Sequence, residues 1–395
     1  MNQTNIGFIA VGGKQWMGGL YYVKNLINEM QLVDIKDRPN IFIFLTNSLV
    51  NEFSDIRENI KVKKIILEDD LLDKCINRVS LLFFKRKLNL ILFRKHKLEN
   101  YINKYDIKYI YPVLHPLYKK IGKAECVFWI PDFQHKYLPE YFSVREIKKR
   151  NKEYLKISKL PNKLIFSSED ARDDFLKFYS TSKNEIGIIH FTSLINESEE
   201  TNLRDVFTRY KLPKEYLFIP NQFWKHKDHI TAFKALDILN RIKKHNITFV
   251  CSGELKDYRN VEYIKLLTEF IEEKNLKENI VILGFVPKND QIEIMKKCLA
   301  IIQPSLFEGW STVVEDAKLF GKPIIISNLR VHIEQNPNKA VYFNKNSSLD
   351  LANKIDSNLD LFRGYLDNYS CKEPMTERIE SAKEYANDFV NFING

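Results

Sequence analysis

Gln303-Pro304-Ser305-Leu306-Phe307-Glu308-Gly309-Trp310-Ser311-Thr312-Val313-Val314-Glu315-Asp316-Ala317-Lys318, closed by Gly321-Lys322-Pro323, is the stretch on which the fold turns. The run entering it, Ala300 to Gln303, reads as a short buried strand, and a helical pattern follows the loop. Gly321 ends that helix and Pro323 opens the next strand, because glycine takes the left-handed C-terminal conformation readily and proline cannot continue a helix. Strand, loop, helix, strand is the repeating unit of a parallel sheet. Within the stretch, Thr312 and Glu315 have capping-box spacing, which alone could account for Glu315. Glu308 is a carboxylate on a strand-to-helix loop with nothing obvious to cap, and the amides at the helix start could hold a phosphate.

The same alternation runs outward in both directions. Strands are predicted near Ile6–Val11, Ile41–Leu45, Ile60–Leu67, Ile107–Tyr111, Val127–Ile130, Leu164–Ser167 and Ile186–Phe191. A polar stretch from about Asn196 to Pro213 interrupts the series. It resumes at Tyr216–Ile219, Ile247–Cys251, Ile280–Leu283, Ala300–Gln303, Pro323–Ser327 and Ala340–Phe343. Two Rossmann-like α/β units joined near residue 200 are the economical reading, and 395 residues suit two domains better than one. Ile379, Ala382, Ala386, Phe389 and Ile393 form one stripe of a last helix that must pack somewhere.

Composition excludes several classes. With 44% hydrophobic and 28% charged residues and only 13 Gly and 13 Pro, the chain is neither disordered nor collagen-like. The start lacks a basic region before its apolar run, and no run approaches a membrane span, so a soluble chain that is not secreted is expected. Cys75, Cys126, Cys251, Cys298 and Cys371 are scattered and never in a C-x-x-C pair, which argues against disulfides or zinc and fits a reducing cytoplasm. The net charge of +10 is local: Lys74 to Leu98 holds eight Lys and Arg with no Asp or Glu, leaving +2 elsewhere. Leu81, Phe84, Leu88, Ile91 and Leu92 beside Lys85, Arg86, Lys87, Arg94, Lys95 and Lys97 make a basic amphipathic pattern. It suits an anionic membrane surface. Nucleic acid competes as a partner but lacks the aromatic and Gly patterns of its readers, and a solvated helix with one buried face stands equally.

Three more loops could carry chemistry. Val11-Gly12-Gly13-Lys14-Gln15-Trp16-Met17-Gly18-Gly19 joins the first strand to a helix starting near Leu20; its glycines suit either close approach of a phosphate or a tight turn. It fits neither G-x-G-x-x-G nor a P-loop. Pro131-Asp132-Phe133-Gln134-His135 follows a strand's carboxyl end, where open sheets bind ligands, and Asp132 with His135 offers a polyol-binding pair or a structural histidine. Pro220-Asn221-Gln222-Phe223-Trp224-Lys225-His226-Lys227-Asp228-His229 places two lysines where they would face a diphosphate or only solvent.

Together the Pro131, Pro220 and Glu308 blocks, with Leu283-Gly284-Phe285-Val286, resemble the group 1, family 4 retaining glycosyltransferases of the GT-B fold, in matching order over nearly the whole chain. The resemblance implies two Rossmann-like domains facing each other across a cleft. The acceptor side would be residues 1–197 with a last helix, 375–395, returning to it, and the nucleotide-sugar side 198–374. It implies that Glu308 binds the donor sugar's hydroxyls, Glu315 the ribose, and Gly309, Trp310, Ser311, Thr312 and Val313 the diphosphate region. Lys227 would neutralise the leaving diphosphate beside Asn221, Phe285 and Val286 would flank the base, and His135 would meet the transferred sugar. Gly18 and Gly19 would wall the phosphates from the first domain.

Two departures stand out. Glu308 and Glu315 have six residues between them where the family has seven, and Gln222 replaces the family's arginine five positions before the phosphate lysine, with Lys225 the candidate to supply that charge. No D-x-D occurs, so a metal-independent transfer is expected, with no cofactor beyond the nucleotide-sugar donor. The expected function is a hexosyl transfer to a growing, lipid-linked surface glycan of lipopolysaccharide or capsule type, by a cytoplasmic protein peripheral to the inner membrane face. The alternatives are a sugar-nucleotide epimerase, which needs no acceptor, and a non-catalytic nucleotide-sugar-binding relative.

Overall fold

Every apolar run read as a strand forms one, with ends shifted by a few residues at most. The structure, a computed structural model of the chain, describes residues 4–13, 16–56, 58–67, 97–116, 119–193, 203–367 and 372–395. The basic segment Lys74–Leu98 lies outside them but for its last two residues, as do Lys14, Gln15, Cys75 and Cys371.

The chain divides into two units. The first holds Met1–Pro131, Lys148–Thr192 and Ile379–Gly395; the second holds Asp132–Ile147 and Ser193–Arg378. In the first, β1 (Asn5–Ile9), β2 (Asn40–Thr46), β3 (Val62–Leu67), β4 (Tyr109–Val113), β6 (Ala124–Trp129), β7 (Lys163–Phe166) and β8 (Glu185–Ile188) lie in the order β3-β2-β1-β4-β6-β7-β8. All these neighbours are parallel, with Ile6 opposite both Ile41 and Tyr109. The exception is β5 (Lys120–Ile121), an antiparallel two-residue strand on β6 that is too short to leave a periodic signal.

The second sheet is wholly parallel: β9 (Leu217–Pro220), β10 (Phe249–Ser252), β11 (Ile280–Ile282), β12 (Ile301–Gln303), β13 (Ile324–Ser327) and β14 (Ala340–Phe343) lie in the order β11-β10-β9-β12-β13-β14. Phe218 stands opposite both Val250 and Ile301. Strands β9, β10, β12 and β13 are buried along their whole length, as expected where helices cover both faces. Leu217, Ile219, Cys251 and Ile302 join one apolar cluster, and Phe218, Val250, Ile301 and Ile324 the other.

Two boundaries differ from the sequence reading. Asp132–Ile147 groups with the second unit because its rings pack there: Phe142 under the Arg259 guanidinium at 4.9 Å, Tyr141 under the Lys225 ammonium at 4.8 Å and Tyr137 against Phe307 at 5.6 Å. The last helix, Lys372–Asn394, buries Ala382, Ala386, Phe389 and Ile393 as its stripe predicts, but Ile379 is 41% exposed. Phe389 lies against Phe8 of β1 and Tyr111 of β4, at 5.8 and 5.1 Å, which ties this end to the first sheet.

Candidate functional site

In the second sheet the strand order turns back between β9 and β12, and in open α/β sheets the crevice beyond the carboxyl ends of such strands receives ligands. The loops leaving these two strands carry the candidate residues. Asn221, just past β9, donates from Nδ2 to Gln303 Oε1 at 2.7 Å, joining the two strand ends. Gln303 Nε2 donates in turn to Glu308 Oε1 at 2.9 Å, Ser311 Oγ at 3.1 Å and Ser305 Oγ at 3.2 Å. Glu308 Oε1 also accepts from Ser305 Oγ at 2.7 Å and Lys227 Nζ at 2.5 Å. The sequence thus brings Asn221, Lys227 and Glu308 together, and the six-residue spacing still delivers Glu308 to the lysine.

This pair is largely withdrawn from water: the Lys227 and Glu308 side chains are 17% and 10% exposed. Burial, the largest single influence, would raise the Glu308 carboxyl, but the Lys227 ammonium and its hydrogen bond, together with His226 and His332, hold the group below its ordinary value. Nearby histidines stay neutral. His226 is pushed down to about 3 by burial and then by the Lys227 charge. His332 is pushed down to about 4 by burial, with Glu308 opposing; its Nδ1 meets the Ser327 carbonyl at 2.9 Å. Ser327 Oγ donates to the Ser305 carbonyl at 2.7 Å, so His332 is wired to the residue that bonds Glu308.

The helix Thr312–Leu319 starts differently from the capping-box reading. Its N-cap is Ser311, and no side chain caps it. The reason is Gln335: its Oε1 accepts from the Ser311 amide at 3.1 Å, while its Nε2 donates to the Ser311 carbonyl at 3.0 Å and to Glu315 Oε1 at 2.9 Å. Glu315 is fully buried; its other oxygen is taken by Arg378, and Lys318 Nζ stands 3.7 Å away. Glu315 therefore neither caps the helix nor presents an open carboxylate to a ribose, and the Ser311 amide is already committed. Thr312 and Val313 keep first-turn amides, for which a helix has no internal acceptor.

Other predicted residues occupy varied settings. Gln222 accepts at Oε1 from the Glu254 amide at 3.0 Å. Phe285 is 59% exposed while Val286 is buried; Gly309 is half-buried and Trp310 buried. His135 is buried on the short helix Gln134–Tyr137, which begins where Asp132 Oδ1 accepts from the Gln134 amide at 3.0 Å. In the first unit Gly18 is exposed, whereas Gly19 lies under the Trp16 indole, whose atoms stand 2.7–2.8 Å from where a Cβ would be. Gln303, Ser305, His332, Gln335 and Arg378 had no assigned role from sequence. Gln303 left one trace, a polar residue ending an otherwise apolar strand.

Among the described residues no group of three or more His, Cys, Asp or Glu is placed to hold a metal ion, and no helix is long and apolar enough to cross a membrane.

Residues 200–363 match the family model described as Glycosyl transferases group 1. It is similar to the O-antigen chain mannosyltransferase RfbU of Salmonella typhimurium, 22% identical over 208 residues, 51% of this chain and 54% of that one. The chain spans about half the length of the curated relatives it matches. Among solved structures it is similar to the Anabaena protein HepE in complex with UDP and glucose, with TM-score 0.69, 14% identity and coverage of 98% and 100%. A sucrose-phosphate synthase from Thermosynechococcus elongatus gives TM-score 0.68, 16% identity and coverage of 99% and 98%. The fold is the GT-B type, with two Rossmann-like parallel sheets.

Proposed function

We propose, from the group 1 domain as premise, that the chain is a glycosyltransferase that moves a sugar from a nucleotide-sugar to a surface glycan of the O-antigen or capsule kind. The observation that carries this is the buried Lys227–Glu308 pair at the turning point of the second sheet, fixed by Gln303 and Ser305. Cleaving a sugar from a nucleoside diphosphate puts negative charge on the leaving oxygens, and a preorganised cation in a water-poor site is the strongest single means of stabilising it. Lys227 is that cation. Glu308, held ionised beside it, accepts hydrogen bonds from the sugar's hydroxyls. Phe285, exposed next to buried Val286, offers a face for the base, and the amides of Thr312 and Val313 add donors toward the phosphates.

The reaction we infer retains anomeric configuration and needs no metal, the leaving phosphate taking the acceptor's proton. His135 stands near the transferred sugar in this reading. The acceptor is lipid-linked, and the protein works in the cytoplasm at the inner membrane face, which the basic segment Lys74–Leu98 contacts. RfbU acts in O-antigen synthesis and HepE is seen with UDP, which favours a glycan acceptor and a nucleoside diphosphate leaving group.

The test is a panel of UDP-, GDP- and ADP-sugars with and without EDTA, following release of nucleoside diphosphate. Slow, EDTA-insensitive release from one donor is expected, accelerated by glycolipid. Release abolished by EDTA would remove metal independence. Conversion of the sugar without release would favour an epimerase, and binding without turnover a sensor.

A further inference from the structure

The loop after β10, Gly253 to Asn260, is strapped to the loop that carries Lys227. Asp257 Oδ2 accepts from the Lys225 amide at 2.9 Å, and Asp257 Oδ1 from the amides of Arg259 and Asn260 at 2.9 and 3.1 Å. Gly253, at φ +119, comes so near the other loop that a Cβ would stand 2.4 Å from the Asn221 carbonyl oxygen. Arg259 rises from this strapped loop. Its guanidinium is cupped by three rings, Phe142 at 4.9 Å, Tyr258 at 5.3 Å and Trp224 at 5.7 Å.

Rings hold a cation in place but accept no conventional hydrogen bonds in the guanidinium plane. Arg259 Nε is buried with no hydrogen-bond partner, and among the described residues no carboxylate forms an ion pair with this side chain. A buried donor without a partner is costly, so the arrangement is that of a fork waiting for an anion. The position is electrostatically continuous with Lys227, since both cations act on buried His226. Lys225, the sequence's candidate for the charge absent at Gln222, instead extends its ammonium over Tyr141 at 4.8 Å.

We propose that Arg259 is the second cation of the donor's diphosphate site, reaching from the β10 loop to supply the charge that Gln222 does not. The proposal rests on the reading of Lys227 as the diphosphate lysine. A guanidinium presents parallel N–H groups that match two phosphate oxygens, which a lysine ammonium cannot do. The ring cup keeps that fork oriented before the ligand arrives.

Calorimetric binding of UDP, GDP and ADP and of the matching nucleosides separates the outcomes. For the diphosphate that the wild type binds, Arg259→Gln should weaken affinity about 10- to 100-fold, the loss of one or two charge-assisted hydrogen bonds. The matching nucleoside should keep its affinity within about two-fold, since it makes no phosphate contact. Arg259→Lys, which keeps the charge and much of the ring contact, should lie between. Adding Gln222→Arg to Arg259→Gln should restore diphosphate binding, and Lys256→Gln, an exposed charge on the same loop, should change nothing. Unchanged diphosphate binding in both Arg259 variants, or equal losses of diphosphate and nucleoside, would overturn the proposal. Should the wild type bind none of the three diphosphates, or Lys227→Gln lose nothing, the donor-site reading itself falls and the proposal with it.

Discussion

Strands β1 and β9 occupy matching places in their sheets, each at the point where strand order turns back and each running into a loop and then a helix. The loop after β1 is filled with rings: Trp16 stacks on Trp129 at 5.7 Å, Trp129 on Tyr22 at 4.0 Å, and the Tyr22 hydroxyl meets that of Tyr111 on β4. The loop after β9 is filled with charge, the Lys227–Glu308 pair with neutral His226 and His332 about it. One architecture has thus been given a closed aromatic lining in one unit and a preorganised electrostatic one in the other. The fold supplies the crevice, and the side chains at two strand ends decide whether it can stabilise developing charge.

Acid offers the largest test of that contrast. His226, His229 and His332 are buried in the second unit and held neutral down to about 3, 3 and 4, with burial the main cause. The unfolded chain binds protons at histidine below about 6.5. Between these limits the unfolded state holds more protons, so stability falls as pH falls. Asp228, raised to about 6 by burial, works the other way, because its folded form protonates first. Three histidines against one aspartate leave a loss on the order of 5 kcal/mol between pH 7 and pH 5. Trp224 and Trp310 report on the second unit and Trp16 and Trp129 on the first. Urea melts of variants keeping one pair should show the second unit's midpoint falling much further at pH 5, and equal falls would break the contrast.

Arg378→Met sharpens it within the second unit. The change strands the fully buried Glu315, and breaking such a pair costs about 3–5 kcal/mol. Denaturation should show that loss, with partial recovery in Arg378→Met/Glu315→Gln. Lys227→Ala should instead reduce nucleoside diphosphate release about 10²- to 10³-fold, the usual size for one preorganised donor removed. If Glu315→Gln proved as harmful to turnover as Lys227→Ala, the division between an anchoring and a working carboxylate would fail. Smallest is Gly19→Ala in the first unit. The added methyl meets the Trp16 ring, at about 1–3 kcal/mol, read as a lowered urea midpoint.

The sheets were legible in the sequence because a strand buried on both faces must be apolar along its length, and Leu217–Pro220 and Ile324–Ser327 could hardly read otherwise. Glu308 stood out as a loop carboxylate with nothing to cap and Lys227 through the resemblance, and the structure brings the two together at 2.5 Å. Glu315 was misread. Its spacing from Thr312 suggested a cap and the resemblance suggested a ribose, while its partners Gln335 and Arg378 lie 20 and 63 positions away, where no local pattern reaches. Arg259 was silent for a like reason, since its ring cup adds to the adjacent Tyr258 two rings, Phe142 and Trp224, from distant segments.

Gly253 carries one further consequence. Its backbone lies so near Asn221 and Gln222 that a side chain at 253 would force the loop after β9 or the loop after β10 to move, so the courses of the two loops are coupled at this point. Redesign of either loop should therefore treat the two as a single cassette. A library that replaces Gly253 while holding the loop after β9 should keep fewer folded chains than one that varies both.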